Sequence, residues 1–152
     1  MDKRRCSIGS VNPQSRVSSS SGSTQNIHRH QLKCFYTNAN SVVTKIDELR
    51  RRTDKGEYDI IGITETWGRP DISDAELAIE GYNMFRMDRQ EGIGGGVLLY
   101  VNDKLQVSPY QIQQNISFQE SLWCLVNCGK SSIVVGVCYR SHQVQLRITT
   151  NC

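Results

Sequence analysis

Asp59-Ile60-Ile61-Gly62-Ile63-Thr64-Glu65-Thr66-Trp67 is the stretch on which the fold turns. From Tyr58 to Thr64 the run is almost wholly apolar, which predicts a strand covered on both faces. It ends in a single carboxylate, Glu65. Upstream, Leu32–Thr37 predicts a second strand, closing at Asn38 within Tyr36-Thr37-Asn38-Ala39-Asn40-Ser41. In open α/β sheets, ligands gather beyond the carboxyl ends of strands. A carboxylate and a carboxamide delivered there are hard oxygen donors, suited to sharing one metal ion with a phosphate.

Between the two strands, Ser41–Thr53 is predicted to be helical, with Val42, Ile46 and Leu49 as its buried stripe. Asp47–Arg51 and Glu48–Arg52 are i,i+4 pairs on its wet face, and Asn40 or Ser41 stands where an N-cap is wanted. Beyond Glu65, Asp71–Ile79 reads as one or two helical turns and Tyr82–Met87 as a strand. Gly92–Gly96 reads as a tight turn into the strand Val97–Val101. It is not a nucleotide loop, because its spacing is not G-x-G-x-x-G and a strand rather than a helix follows. Asn102-Asp103 reads as a hairpin turn with Leu105–Val107 returning. Ser121–Val126 and Ile133–Tyr139 add strands around Asn127–Lys130. The order β-α-β, then mostly β, suits a sheet-on-sheet core with helices outside.

At 152 residues the chain is long enough for one domain with a real core. Hydrophobic residues make up 38% and mean hydropathy is −0.46, so a polar segment is expected somewhere. That segment is residues 1–31, Ser-rich, with five Lys/Arg against one Asp. The remaining 121 residues hold 13 basic and 14 acidic side chains, so the basic excess belongs to this tail. Residues 1–31 are expected to be disordered, since they hold too few apolar groups to offset ordering entropy. A basic arm of this kind either holds nucleic acid non-specifically or is a solvated leader. No apolar run follows Met1–Arg5 and none is long enough to span a bilayer, so no signal peptide, transmembrane segment or membrane partner is expected. Six cysteines contain no C-x-x-C, and His28, His30 and His142 lie in the tails, which disfavours zinc and disulfide frameworks. Cys34 and Cys138 fall within strand patterns as small hydrophobes. Free thiols in a reducing, intracellular setting are the expectation.

Several short motifs fall in a particular order: Asn38-Ala39-Asn40-Ser41, Lys45–Arg50 (KIDELR), Asp59–Trp67, Glu76–Tyr82 (ELAIEGY), Phe85–Arg89 (FRMDR), Gly94–Val101 (GGGVLLYV) and Val137–Arg140 (VCYR). In order and spacing they resemble the endonuclease/exonuclease/phosphatase superfamily, most of all the endonuclease domain of LINE-type (non-LTR) retrotransposons. The resemblance covers about Leu32 to Arg140. It implies an α/β fold, an α+β sandwich of that type, and Mg2+-dependent hydrolysis of DNA phosphodiesters in the nucleus. Glu65 stands where the family has its metal-binding Glu, and Asn38 where its Asn touches metal or phosphate. Tyr139 stands where a strand-end Tyr lies against the phosphate. The resemblance therefore implies Asn38, Glu65 and Tyr139 as catalytic residues and Glu65 and Asn38 as metal ligands. Without it, Glu65 reads as an exposed loop acid, Asn38 as a helix-entry residue and Tyr139 as a packing residue. Asn40 reads as structural, and Arg140 as an exposed side chain free to meet a nucleic-acid backbone.

The departures from the family pattern matter as much. Its later motifs, an Asp-Asn pair in a G-D-F-N segment and a closing Asp-His pair that acts on the attacking water, have no counterpart here. Residues 141–152 contain no Asp or Glu, and His142 has no acidic neighbour. Without a base, a metal-bound phosphate is held but hardly cleaved. The expectation is thus a truncated, inactive domain over 32–140 that binds Mg2+ weakly or not at all. The alternatives are a non-catalytic fragment that binds nucleic acid or a protein partner, and a phosphatase-like branch, which the NANS, ELAIEGY and GGGVLLYV segments disfavour. With the second sheet incomplete, the apolar faces of Val97–Val101 and Ile133–Tyr139 are expected to be partly uncovered. Residues 141–152 read as an unstructured, frameshifted tail. Back-translated from the third base of the Ser141 codon, they permit S-P-S-S-T-E-D-N-N-K-L, a family-like continuation, with Asn151-Cys152 forcing the Leu.

Overall fold

The computed structural model describes residues 31–90, 92–112, 118, 120–129, 131–140 and 143–150; apart from Gln31, the basic tail expected to be disordered lies outside them. Among these residues the chain builds two four-stranded sheets and two helices. In the first sheet, β2 (Ile60–Thr64) runs parallel to β1 (Cys34–Asn38) and antiparallel to β4 (Val97–Asn102), and β3 (Tyr82–Met87) closes the far side. The second sheet is antiparallel throughout, in the order β5 (Gln106–Pro109), β6 (Glu120–Cys128), β7 (Ser131–Arg140), β8 (Gln143–Thr150). This is an α+β arrangement of one mixed and one antiparallel sheet with few helices, as expected at that level.

Side-chain alternation explains the layering. Ile61, Ile63, Leu98 and Tyr100 join Val42, Ile46, Leu49 and Leu77 in one cluster beneath the helices. The other face of the first sheet, through Ile60, Val97, Leu99 and Val101, packs on Cys124, Val126, Val135 and Val137 of the second. The strands β2 and β4 are buried along their whole length, which is why they read as continuous apolar runs. The faces expected to be partly uncovered are instead each other's cover. Burial pushes the Cys124 thiol up to about 12. Alkylation of Cys124 in the native chain should therefore be far slower than in the unfolded chain at mildly alkaline pH. Prompt native labelling, read by mass spectrometry, would contradict this packing.

Several local expectations need correction. The predicted helix begins later: a 3-10 turn, Val43–Lys45, leads into α1 (Ile46–Thr53), and no side chain caps it. Asn40 and Ser41 take left-handed backbone (φ 47° and 80°) because the chain turns back on β2. The N–H groups of Ser41 and Val42 then reach the carbonyls of Glu65 and Thr66, both at 2.9 Å. On α1, Glu48 pairs with Arg52 as expected, but Asp47 pairs with Arg50 at 3.2 Å. Arg50 is drawn there because it also donates to the carbonyls of Glu76 and Ala78 around the end of α2 (Asp74–Leu77).

Leu105–Val107 does not return as a hairpin on β4. That strand is already bonded on both edges, by β2 and β3, so β5 crosses to β6 in the other sheet. Residues 141–152 are not wholly unstructured either, since Gln143–Thr150 forms β8 on the edge of β7. Its period-two apolar pattern is the physical reason: Val144, Leu146 and Ile148 fall in register with Tyr139, Val137 and Val135. No helix among the described residues is long and apolar enough to cross a membrane.

Candidate functional site

One end of the sandwich collects the carboxyl ends of β1, β2 and β7 with the amino ends of β4 and β6. Register alone places Asn38 beside Thr64, Thr64 beside Val97, and Tyr139 opposite Glu120. Past Thr64 the chain runs on between two neighbours. On one side lie Ser41 and Val42; on the other, Trp67 N–H donates to the Gly95 carbonyl at 2.9 Å. Glu65 and Trp67 adopt left-handed backbone, with φ 55° and 53°. With Asn40 and Ser41, all the non-glycine residues of positive φ among those described lie at this end. Each such residue costs on the order of 1–3 kcal/mol, and clusters of them mark sites whose geometry the surroundings impose.

The Glu65 carboxylate is the centre of the arrangement. One oxygen accepts from the Tyr139 hydroxyl, 74 residues away in sequence. The other accepts from the Trp67 indole N–H at 2.8 Å and the Gly95 amide at 2.9 Å. The glycine turn makes that amide available, since Gly92, Gly94, Gly95 and Gly96 all have φ between 74° and 86°. Behind Glu65, the Tyr36 hydroxyl meets Thr64 Oγ1 at 2.9 Å. Burial raises the Tyr36 phenol's pKa, partly offset by the Thr64 bond and reinforced by the Glu65 charge.

Asn38 closes β1 on the exposed side, and its Oδ1 accepts the Asn40 amide at 3.1 Å, forming an Asx turn. Among the described residues its amide nitrogen carries no such bond. Thus the structure brings Glu65 and Tyr139 into direct contact and sets Asn38 at the end of the adjacent strand. Arg140 is exposed. A second layer lies beneath: Glu120, side chain 7% exposed, accepts from Arg89 on one oxygen and from the Gly96 amide at 2.7 Å on the other. The Arg89 guanidinium also lies 5.7 Å from the centre of the Tyr139 ring.

The donor chemistry admits a hard cation only weakly. A carboxylate has about four lone-pair positions, and three hydrogen bonds already use most of those on Glu65. Asn38 Oδ1 has one position engaged. No cluster of three His, Cys, Asp or Glu side chains occurs among the described residues. Mg2+ tolerates such sparse sites because it keeps several waters and leans on substrate phosphate. What these residues can do, then, is offer one or two oxygens to a mostly hydrated ion.

Sequence reasoning missed Trp67, Gly95, Arg89 and Glu120. A signal existed for Glu120: it shares strand parity with Cys124 and Val126, which face the core, so the pattern places a charge on an inward position. The glycine amides carry no side-chain signature. No family model matches this chain, and no curated protein matches it.

Proposed function

We propose that residues 32–140 are the first part of an endonuclease/exonuclease/phosphatase-type domain of the LINE retrotransposon branch, by descent a Mg2+-dependent DNA phosphodiesterase. The observation that supports this most is the Tyr139–Glu65 contact. Two residues singled out by separate motifs, far apart in sequence, one just past β2 and the other in β7 of the second sheet, meet at a strand-end site. Asn38, on the neighbouring strand end, is the further group such a site would use.

In this reading Glu65 and Asn38 would hold Mg2+, which supplies Lewis-acid polarisation of the scissile phosphate. Tyr139 fixes the Glu65 carboxylate through its hydroxyl and would lie against the phosphate. The indole and the Gly95 amide hold the other carboxylate oxygen, so Glu65 would meet an ion already oriented. The family's closing Asp-His pair, which would take the proton of the attacking water, has no counterpart in this sequence. General-base help is worth roughly 10²–10⁴ in rate, so this chain by itself should hold a phosphodiester and barely cleave it. Residues 141–152 are, in the same proposal, read from a shifted frame. Genomic DNA without G-D-F-N coding sequence in any downstream frame would refute that origin.

The test is nicking of supercoiled plasmid with Mg2+. The wild-type chain should nick no faster than Glu65→Ala. Nicking clearly above that control would overturn the inactive reading and make the chain an enzyme. Hydrolysis of small phosphoesters instead would favour the phosphatase-like branch.

A further inference from the structure

The site reading leaves one feature unused, the buried ion pair beneath it. Glu120 begins β6 on an inward position, and both its oxygens are engaged, by Arg89 and by the Gly96 amide. A buried ion pair is weak evidence of stability, because desolvation offsets most of the attraction and apolar replacements often do as well. Its presence at an inward strand position therefore calls for another reason, and its contacts supply one.

We infer that the Arg89–Glu120 pair is a positioning device for the Glu65 carboxylate, a role that rests on Glu65 being the functional acid. The pair reaches two of the three donors on Glu65. The first route runs through the glycine turn. Glu120 holds the Gly96 amide, and Arg89 Nη1 holds the Ile93 carbonyl at 3.2 Å, so the turn is pinned at both ends around the Gly95 amide. A β-carbon at Gly95 would overlap the Arg89 guanidinium, so the turn and the arginine leave no slack between them. The second route runs through Tyr139. Its ring lies beside Arg89 and its backbone opposite Glu120, so the pair sets where its hydroxyl meets Glu65. The pair also bridges the sheets, because Arg89 follows β3 while Glu120 begins β6. Glu65 is thereby placed relative to both layers. In this role Arg89 and Glu120 would touch neither ion nor phosphate; they act through Gly95 and Tyr139.

The test uses the whole chain, 15N-labelled, and reads hydrogen exchange at the Gly95 amide and the Trp67 indole N–H, both bonded to Glu65. In Arg89→Met and in Glu120→Gln, these two protons should lose protection by roughly fivefold, the worth of one hydrogen bond of about 1 kcal/mol. The Leu98 amide and the Trp123 indole serve as references and should change far less. Arg89→Lys, which keeps the charge, should restore part of the protection. A purely structural role would lower protection evenly across β4 and both indoles, and that result overturns the inference. Two variants that cannot fold would also overturn it, since the pair would then be a folding element. Mg2+ titration of the wild-type chain separates this from the site reading. If Mg2+ leaves the Gly95 and Trp67 signals unmoved, the metal site fails, while the exchange result still decides the positioning role.

Discussion

Leu99→Ala is expected to cost about 2–5 kcal/mol of folding stability, the range for truncating a large buried aliphatic side chain. Leu99 is fully buried at the centre of β4, in the cluster between the two sheets. Its strand is hydrogen-bonded along both edges, so the backbone cannot move in to fill the space. The cost should therefore lie in the upper part of that range. Urea unfolding should show a lower midpoint with the slope unchanged. A loss below about 1 kcal/mol would mean that the sheets do not pack face to face at this point.

Glu120→Ala should rival it, at roughly 3–5 kcal/mol for breaking a buried pair by removing one partner. Arg89 keeps 25% of its side chain exposed and regains some hydration, which favours the lower end. The Gly96 amide, buried, also loses its acceptor. Replacing both partners at once, as Arg89→Met with Glu120→Leu, should cost clearly less than the sum of the single changes, because no charge is then left stranded. Additive losses would show that the two side chains contribute separately and would remove the ion pair as a unit.

These effects bear on how much of the molecule was legible in its residues. The strand Tyr82–Met87 emerges with the bounds that its alternation suggests. The buried run through Ile60, Ile61 and Ile63 behaves as a central strand covered on both faces. Local pattern failed where the outcome depends on which edges are free. Leu105–Val107 has the look of a returning hairpin strand, yet β4 has no open edge to receive it. Residues 143–150 carry a period-two pattern whose meaning appears only beside the edge of β7. Asn40 and Ser41 look like caps, but their backbone is spent on the turn toward Glu65.

At the site, Asn38, Glu65 and Tyr139 were legible as residue types in motifs, without their geometry. The groups that hold Glu65 were not. Gly95 acts through its backbone, which leaves no trace in residue chemistry beyond permission for a left-handed turn. Arg89 and Glu120 are 31 residues apart, one just past β3 and the other opening β6 in the second sheet, so nothing local joins them.

The central claim is that Glu65, held against Tyr139 at the strand ends, is the acid of a weak metal site. Paramagnetic broadening by Mn2+ tests it most directly, because the ion broadens only the NMR signals of groups close to it. Titrating the whole chain should first broaden the Gly95 amide, the Trp67 indole and the Tyr139 ring. Signals from Trp123, on the second sheet, should stay sharp at the same Mn2+ concentration. In Glu65→Ala the selective broadening should vanish. Broadening that persists in Glu65→Ala, or that spreads evenly over the surface of the wild-type chain, would contradict the account.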